Sequence, residues 1–424
     1  MKKVFKQLYS LMENNSSIID VADEVQVLRK QLKKEEDIIL FVNAVREKVQ
    51  KEAFNAVVNN NGRGLVAMAT GAGKSRVAVM LAKHYAPTDF SSNLSLVVPT
   101  EKLRDENWKE EYDKWEATEL WSKTLRLCYA SASKIDSYNI SLLILDEGHN
   151  ITPLSATLFE NNIVENVVLL TATLPTDMEK IEILKKLNIP LVYNLTLDVA
   201  VKLGFVAPYK ITVVYTELDA VDKYVVGGNK QNPFFQTERG MYEYLTRTID
   251  NYKGSMMSAN DRIKLKFTIL KRMHVIYGLK SKTNAAEFLL KNVIPLSDRS
   301  LIFCGSISQA EQVCSGFYHS KSGDLAYNLF KAEQINRLSC VKAINEGHNF
   351  TGLDSGLIIQ LNSKEKDLVQ RLGRLLRFRP GHEGHLYIIV AKGTQDEIWV
   401  NNALKSFDSS KIEHFKFNDL KAIT

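Results

Sequence analysis

Apolar positions follow two textures along this chain, and each predicts a different kind of element. In the first sixty residues they recur at helical spacing. Val4, Leu8 and Leu11 form one face, and Val21, Val25, Leu28 and Leu32 form another at i, i+4, i+7 and i+11. No proline occurs before Pro87. Charges of both signs lie between, which predicts helices packed on the domain that follows rather than a coiled coil. From about residue 64 short apolar runs alternate with helical patterns: Leu65–Ala69, Leu94–Val98, Leu142–Leu145 and Val167–Leu170. Each run ends in a Gly, Pro, Thr or Asp turn, which predicts parallel strands joined by helices. Ligands of such a sheet bind at the carboxyl ends of its strands, so chemistry is expected in the turns that follow them.

A second series begins near residue 209, with Ile211–Tyr215, Ser300–Phe303, Leu357–Ile359 and Leu386–Val390 as strands. Between its first two members, about 218 to 295, the pattern is helical and highly charged. There Ile263, Phe267, Leu270 and His274 share a stripe, with Arg262, Lys264, Lys266, Lys271 and Arg272 around it. Two successive α/β series predict two similar domains, the second carrying an insertion.

Composition narrows the class without choosing a function. The chain has 424 residues, 45% apolar and 25% charged, as in soluble globular proteins of two or three domains. Lys plus Arg number 55 against 49 Asp plus Glu, a net charge of +6 that permits a phosphate-rich partner and does not require one. Cys128, Cys304, Cys314 and Cys340 form no C-x-x-C pair and read as reduced thiols of a cytoplasmic protein. No uncharged apolar run approaches the ~20 residues a bilayer crossing needs.

The candidate chemistry sits in three segments. Met68-Ala69-Thr70-Gly71-Ala72-Gly73-Lys74-Ser75 follows the first strand and precedes a helical pattern. Glycines there let backbone N–H groups approach phosphate oxygens, and the helix N-terminus adds partial positive charge. Lys74 would reach the outer phosphates and Ser75 would ligate Mg²⁺. Met68 stands where the usual phosphate loop has glycine. Asp146 and Glu147 end the strand Leu142–Leu145, 72 residues after Lys74. An Asp there can hold the same Mg²⁺, and a second carboxylate can orient and deprotonate a water. Far downstream, Arg371, Arg374 and Arg377 recur every three residues, on one face of a helix. An arginine aimed at a γ-phosphate would stabilise charge in the transition state.

Together these segments resemble the superfamily 2 helicases and translocases of the DExH branch, over roughly residues 40 to 400. Ala69–Ser75 looks like motif I. Val97-Val98-Pro99-Thr100 with Leu103 and Trp108 looks like motif Ia, and Ser131-Ala132-Ser133 loosely like Ib. Asp146-Glu147-Gly148-His149 looks like motif II, with Gly148 where Ala or Cys is usual, and Thr171-Ala172-Thr173 like motif III. Leu301-Ile302-Phe303 with Ser306 resembles motif IV, Asn345–Asn349 running to Leu353-Asp354 motif V, and Gln370–Arg377 motif VI. Ala200–Pro208 is similar to the link between motor domains in the UvsW, XPB, RecG and restriction-motor branch. Arg46 and Gln50 resemble that branch's R-x-x-Q element with one extra residue.

The resemblance implies an α/β fold of two tandem RecA-like parallel-sheet domains. It divides the chain into an N-terminal helical extension (1–40), a first domain (41–205) and a second (206–424) with a helical insertion at about 218–295. It implies ATP and Mg²⁺ as cofactors. Gln50, Thr70, Gly71, Ala72, Gly73, Lys74, Ser75, Gly347, Asp354 and Gln370 would bind nucleotide, with Ser75 and Asp146 on the metal. Lys74, Asp146, Glu147, Arg374 and Arg377 would be catalytic, and His149, Thr171 and Thr173 would couple the site to movement. Thr100, Lys102, Ser131, Ser306 and Thr351 would contact nucleic acid. The expected activity is a DNA helicase or branch-migration motor, possible as a monomer and suited to phage or bacterial replication and recombination. A restriction motor, an RNA helicase and an ATP-gated clamp that does not unwind are the alternatives.

Overall fold

The structure is a computed structural model, which describes every residue except 16, 88–91, 176, 229–232, 254–257, 342–349, 351, 362–380, 406 and 424. It divides into two compact units, the first comprising Met1–Pro208 and the second beginning at Tyr209.

The first unit is built on a parallel sheet of six strands in the order β3-β2-β4-β5-β1-β6. These are β1 (Arg63–Met68), β2 (Asn93–Val98), β3 (Thr124–Cys128), β4 (Asn139–Leu145), β5 (Ile163–Thr171) and β6 (Leu191–Leu195). The four expected strands are β1, β2, β4 and β5, the inner four. Toward their carboxyl ends their side chains are buried without a break, so they read as unbroken apolar runs. The edge strands β3 and β6 are half-exposed and carry Arg126, Tyr193 and Asn194, so no such run marked them.

Three N-terminal helices precede this sheet: α1 (Lys2–Asn14), α2 (Ala22–Lys30) and α3 (Glu35–Asn59). Glu35, Glu36 and Asp37 place negative charge at the positive end of α3. That helix runs through the boundary expected at residue 40 and buries Phe41, Val42, Val45, Val49, Gln50, Ala53 and Val57. Glu52 of α3 accepts hydrogen bonds from the Ile18 amide at 2.9 Å, the Ser17 hydroxyl at 3.1 Å and the Tyr193 hydroxyl of β6 at 3.3 Å. Arg29 donates to the Val201 carbonyl at 3.1 Å. The extension is thus part of the first unit's own packing.

The second unit has seven parallel strands in the order β11-β12-β10-β13-β14-β7-β15. They are β7 (Tyr209–Thr216), β10 (Ser300–Phe303), β11 (Phe317–Tyr318), β12 (Arg337–Cys340), β13 (Ser355–Ile358), β14 (Gly384–Ala391) and β15 (Ile412–Lys416). Between β7 and β10 lie an antiparallel hairpin, β8 (Tyr224–Gly228) with β9 (Pro233–Gln236), and the helices Glu238–Lys253, Ala259–Tyr277 and Lys280–Asn292. The hairpin was not expected, because helical periodicity dominates the stretch around it.

A buried ion pair ties this insertion to the sheet. Lys282 is 1% exposed and donates to Asp396 Oδ2 at 2.7 Å and Gln360 Oε1 at 3.0 Å. Asp396 also accepts from the Ala391 amide at 3.0 Å. Burial pushes the Lys282 pKa down, and Asp396 opposes that shift. Removing one partner leaves the other charge buried alone, which typically costs ~3–5 kcal/mol. Asp396→Ala is therefore expected to lower the denaturation midpoint by a stability loss of about 3 kcal/mol or more. An exposed pair such as Lys186–Glu160 should cost under ~1 kcal/mol when broken.

Candidate active site

The phosphate loop takes its shape from two glycines and one buried amide. Gly71 and Gly73 have φ of 89° and 92°, a region open to glycine and costly to other residues. Gly73 caps the helix α4 (Lys74–His84), so the chain turns from β1 into a helix whose amino end faces the loop. A Cβ at Gly73 would lie 2.1 Å from Gln50 Nε2. That nitrogen donates to the Ala72 carbonyl at 3.0 Å, and Gln50 Oε1 accepts from Arg76 Nη1 at 2.8 Å. The Gln50 amide, expected to bind nucleotide, is thus bonded at both ends to the loop and its helix. Arg76 also stacks over Trp115 at 4.4 Å, and Arg46 over Phe205 at 5.3 Å. Lys74 Nζ donates to the Met68 carbonyl at 3.1 Å.

Asp146 and Glu147 leave β4 at the same edge of the sheet. Asp146 Oδ2 accepts from Trp108 Nε1 at 2.9 Å, and Oδ1 accepts from the Glu147 amide at 2.9 Å. Its carbonyl accepts from the Tyr129 hydroxyl at 2.9 Å, and its amide donates to the Val97 carbonyl. Burial, reinforced by the charge of Glu147, raises the Asp146 carboxyl well above the carboxylate range; the Trp108 hydrogen bond and the Lys74 charge oppose the rise. Glu147 has φ 47° and ψ 51°, a left-handed conformation that costs a non-glycine residue about 1 kcal/mol or more. Gly148 follows, and a Cβ there would meet Leu169 Cγ at 2.1 Å. With leucine at 169, this turn admits no larger residue. That explains why Gly148 stands where Ala or Cys is usual.

The expected coupling residues form one chain of contacts. His149 Nδ1 lies 3.4 Å from Glu147 Oε2 and 3.3 Å from Thr171 Oγ1. Thr171 Oγ1 donates to the Thr173 carbonyl at 2.7 Å and accepts from the Thr173 amide at 3.2 Å. Lys180 donates to the His149 carbonyl. Tyr129 and Lys180 are supporting residues that the sequence left without a role, and Trp108, noted only in the motif Ia likeness, proves to be a donor to Asp146. An indole in the segment after β2 and a phenol directly after β3 were the available signal.

Among the expected nucleic-acid contacts, Thr100 follows β2, Ser131 follows β3 and Ser306 follows β10, each at a carboxyl strand end. Lys102 is exposed. The Ser131 hydroxyl bonds back to Cys128, and the Ser306 hydroxyl caps the helix Ile307–Val313. Asp354, expected to bind nucleotide, immediately precedes β13, and its Oδ2 accepts from the Arg299 amide at 2.8 Å just before β10. It therefore stands at the amino edge of the second sheet and joins two neighbouring strands. Gly347, Thr351, Gln370, Arg371, Arg374 and Arg377 lie outside the described residues.

Residues 43–132 match the family profile described as "Type III restriction enzyme, res subunit". Residues 386–419, which span β14, the helix Gln395–Leu404 and β15, match one described as "Haemolysin-type calcium binding protein related domain". Among the described residues, no group of three or more His, Cys, Asp and Glu could hold a metal ion. No curated protein sequence matches the chain significantly.

Solved structures resemble it over most of its length. The ATP-dependent Type ISP restriction-modification enzyme LlaBIII bound to DNA superposes with TM-score 0.56 and 14% identity. The superposition covers 87% of this chain and 31% of LlaBIII, so the chain spans about a third of that enzyme's length. S. cerevisiae Dbp5 bound to RNA and ADP BeF3 gives TM-score 0.54 and 12% identity, covering 89% of this chain and 91% of Dbp5. The Pyrococcus furiosus Hef helicase domain gives 0.51 and 13%, covering 84% and 99%. The fold is two parallel-sheet α/β domains like the tandem RecA-like domains of these proteins. No described helix is long and apolar enough to cross a membrane.

Two outcomes are expected. Trp108→Phe keeps the ring and removes the donor to Asp146. It should raise the Mg²⁺ concentration for half-maximal ATP turnover several-fold while leaving ATP affinity near wild type; an unchanged Mg²⁺ dependence would deny Trp108 this role. Asp146→Asn concerns stability without metal. A carboxyl raised by the fold contributes its stability in full below the unfolded pKa of ~4, and loses it as pH climbs through the raised folded value. The variant should therefore lose ~1–2 kcal/mol less than wild type between acid and neutral pH, as read from denaturant midpoints.

Proposed function

We propose that this protein is an ATP-driven nucleic-acid motor, with DNA as the favoured track. The observation that carries the reading is the convergence in one unit of a glycine-shaped phosphate loop and a half-buried carboxyl group. Lys74 is near enough for its charge to offset part of the Asp146 pKa rise. A carboxyl held high by its surroundings is one that a divalent cation would stabilise as the anion. Ser75 and Asp146 fit that cation, and the backbone of Gly71 to Lys74 fits the phosphates. Mg²⁺ held there would neutralise negative charge on the phosphates.

The chain's own residues then divide the work. Lys74 exchanges its bond to the Met68 carbonyl for the outer phosphates. Glu147, strained at the turn, takes the proton of the attacking water. The contacts from Glu147 through His149 to Thr171 and Thr173 carry the state of that carboxylate toward the end of β5. Arg374 and Arg377 are assigned as γ-phosphate ligands on sequence alone. Thr100, Lys102, Ser131 and Ser306 are assigned to the phosphate backbone, whose recognition should be sequence-independent and salt-sensitive. Gln50 is assigned to nucleotide binding through the loop that it braces.

A second reading is the motor part of a restriction system. It is favoured by the family description for residues 43–132 and by the likeness to LlaBIII. It shares the ATPase and the DNA track, and differs in requiring a nuclease that acts with the motor.

Lys74→Ala is expected to abolish ATP turnover. Glu147→Gln should still bind ATP and hydrolyse it at least ~100-fold more slowly. Turnover should rise with DNA more than with RNA, and strand displacement should follow on the best activator. A Glu147→Gln enzyme with wild-type turnover would remove Glu147 as the base. Stimulation by RNA alone would reassign the track.

A further inference from the structure

The insertion in the second unit carries a surface that the ATPase reading does not use. The helices Glu238–Lys253 and Ala259–Tyr277 pack on each other, and the first buries Tyr242, Leu245 and Ile249. The second lays Leu265, Thr268 and Ile269, all half-buried, toward its inner side and is tied most firmly toward its end. Arg272 donates to Thr246 at 3.2 Å and to Gln395 at 3.4 Å, and Ile276 packs with Tyr242, Leu279 and Ala391. Ile276 is that helix's sole buried residue. The earlier part presents Ile263, Phe267 and Leu270 to solvent at 55%, 61% and 40% exposure. Sequence periodicity grouped these residues with His274 on one helical stripe.

Spacing and charge together specify an occupant. Residues 263, 267, 270 and 274 follow i, i+4, i+7 and i+11, a seam about 16 Å long that suits about three turns of a partner helix. Arg262 and Lys266 flank it on one side, Lys264 and Lys271 on the other. The helix holds five Lys and Arg against one acid, Asp261. We propose that this face docks an amphipathic helix of a protein partner, apolar along its centre and acidic along both margins. Phosphate backbones are gripped by cationic and polar donors, which would leave Ile263 and Leu270 exposed to no purpose. A helix with an apolar centre covers them, and its acidic margins meet the lysines. The surface is independent of the nucleotide site, so the proposal does not rest on the ATPase reading.

The test uses the full chain and a fluorescein-labelled synthetic helix of about 18 residues, with leucines along one face and glutamates beside them. Binding is read by fluorescence anisotropy. Wild type should bind it, and Phe267→Glu and Lys266→Glu should each weaken binding about tenfold or more. Oligonucleotide affinity, ATP turnover and melting temperature should stay at wild-type values, since both side chains are exposed. A peptide in which the leucines are glutamine should not bind. Failure of wild type to bind, or undiminished binding by Phe267→Glu, overturns the proposal. Loss of oligonucleotide affinity in the variants would overturn it in favour of nucleic acid. A wild-type dimer in sedimentation that Phe267→Glu makes monomeric would overturn it in favour of a second copy.

Discussion

The carboxyl edge of the first sheet depends on how the chain leaves β4. β5 lies beside β4 in parallel, and Leu169 sits where the departing backbone must pass. The chain clears it only because Gly148 has no side chain and because Glu147 accepts a left-handed conformation. Asp146 is then fixed from four directions: by the Trp108 indole, the Glu147 amide, the Tyr129 phenol and the Val97 carbonyl. A turn held that firmly keeps two carboxyl groups side by side, and together with burial this makes Asp146 harder to ionise.

Much of this was legible in the sequence for one reason. Strands buried on both faces must be apolar throughout, and the turns after them must supply the chemistry. So β1 with its glycine loop and β4 with its acidic pair stood out together. What stayed hidden has equally physical causes. The edge strands β3 and β6 meet water on one side and need no apolar run. Within the second sheet β12 is interior, yet its buried Ser339 breaks the pattern. Its hydroxyl is satisfied by the Ala310 carbonyl at 2.7 Å, a partner far away in sequence. The position of Asp354 at the amino edge of the second sheet was not legible either, because spacing says which residues are near in the chain, not which edge of a sheet they reach. Trp108 was visible only as part of the motif Ia likeness, and Tyr129 only as an aromatic residue, until the fold aimed their donors at Asp146.

The second unit spends its polar groups differently. Lys282, Asp396 and Gln360 bury a charge network between the helix Lys280–Asn292 and the ends of β13 and β14. Such networks specify one arrangement more than they add stability. They fix the insertion's base to the sheet, while the start of the helix Ala259–Tyr277 stays open to solvent. A rigid root and an uncovered tip suit a surface that must be presented at a fixed angle.

Gln50 has a wider consequence. It is the polar member of an otherwise apolar stripe on α3, and it holds the phosphate loop by a single amide. The same helix carries Glu52, which grips the segment before α2 and the outer strand β6. The loop's curvature is therefore mechanically continuous with the first sixty residues. The Ala72 carbonyl is thus tied to α3 on the same side of the sheet by one side chain. Trimming the N-terminal helices would take away what seats α3, and with it the brace behind the loop.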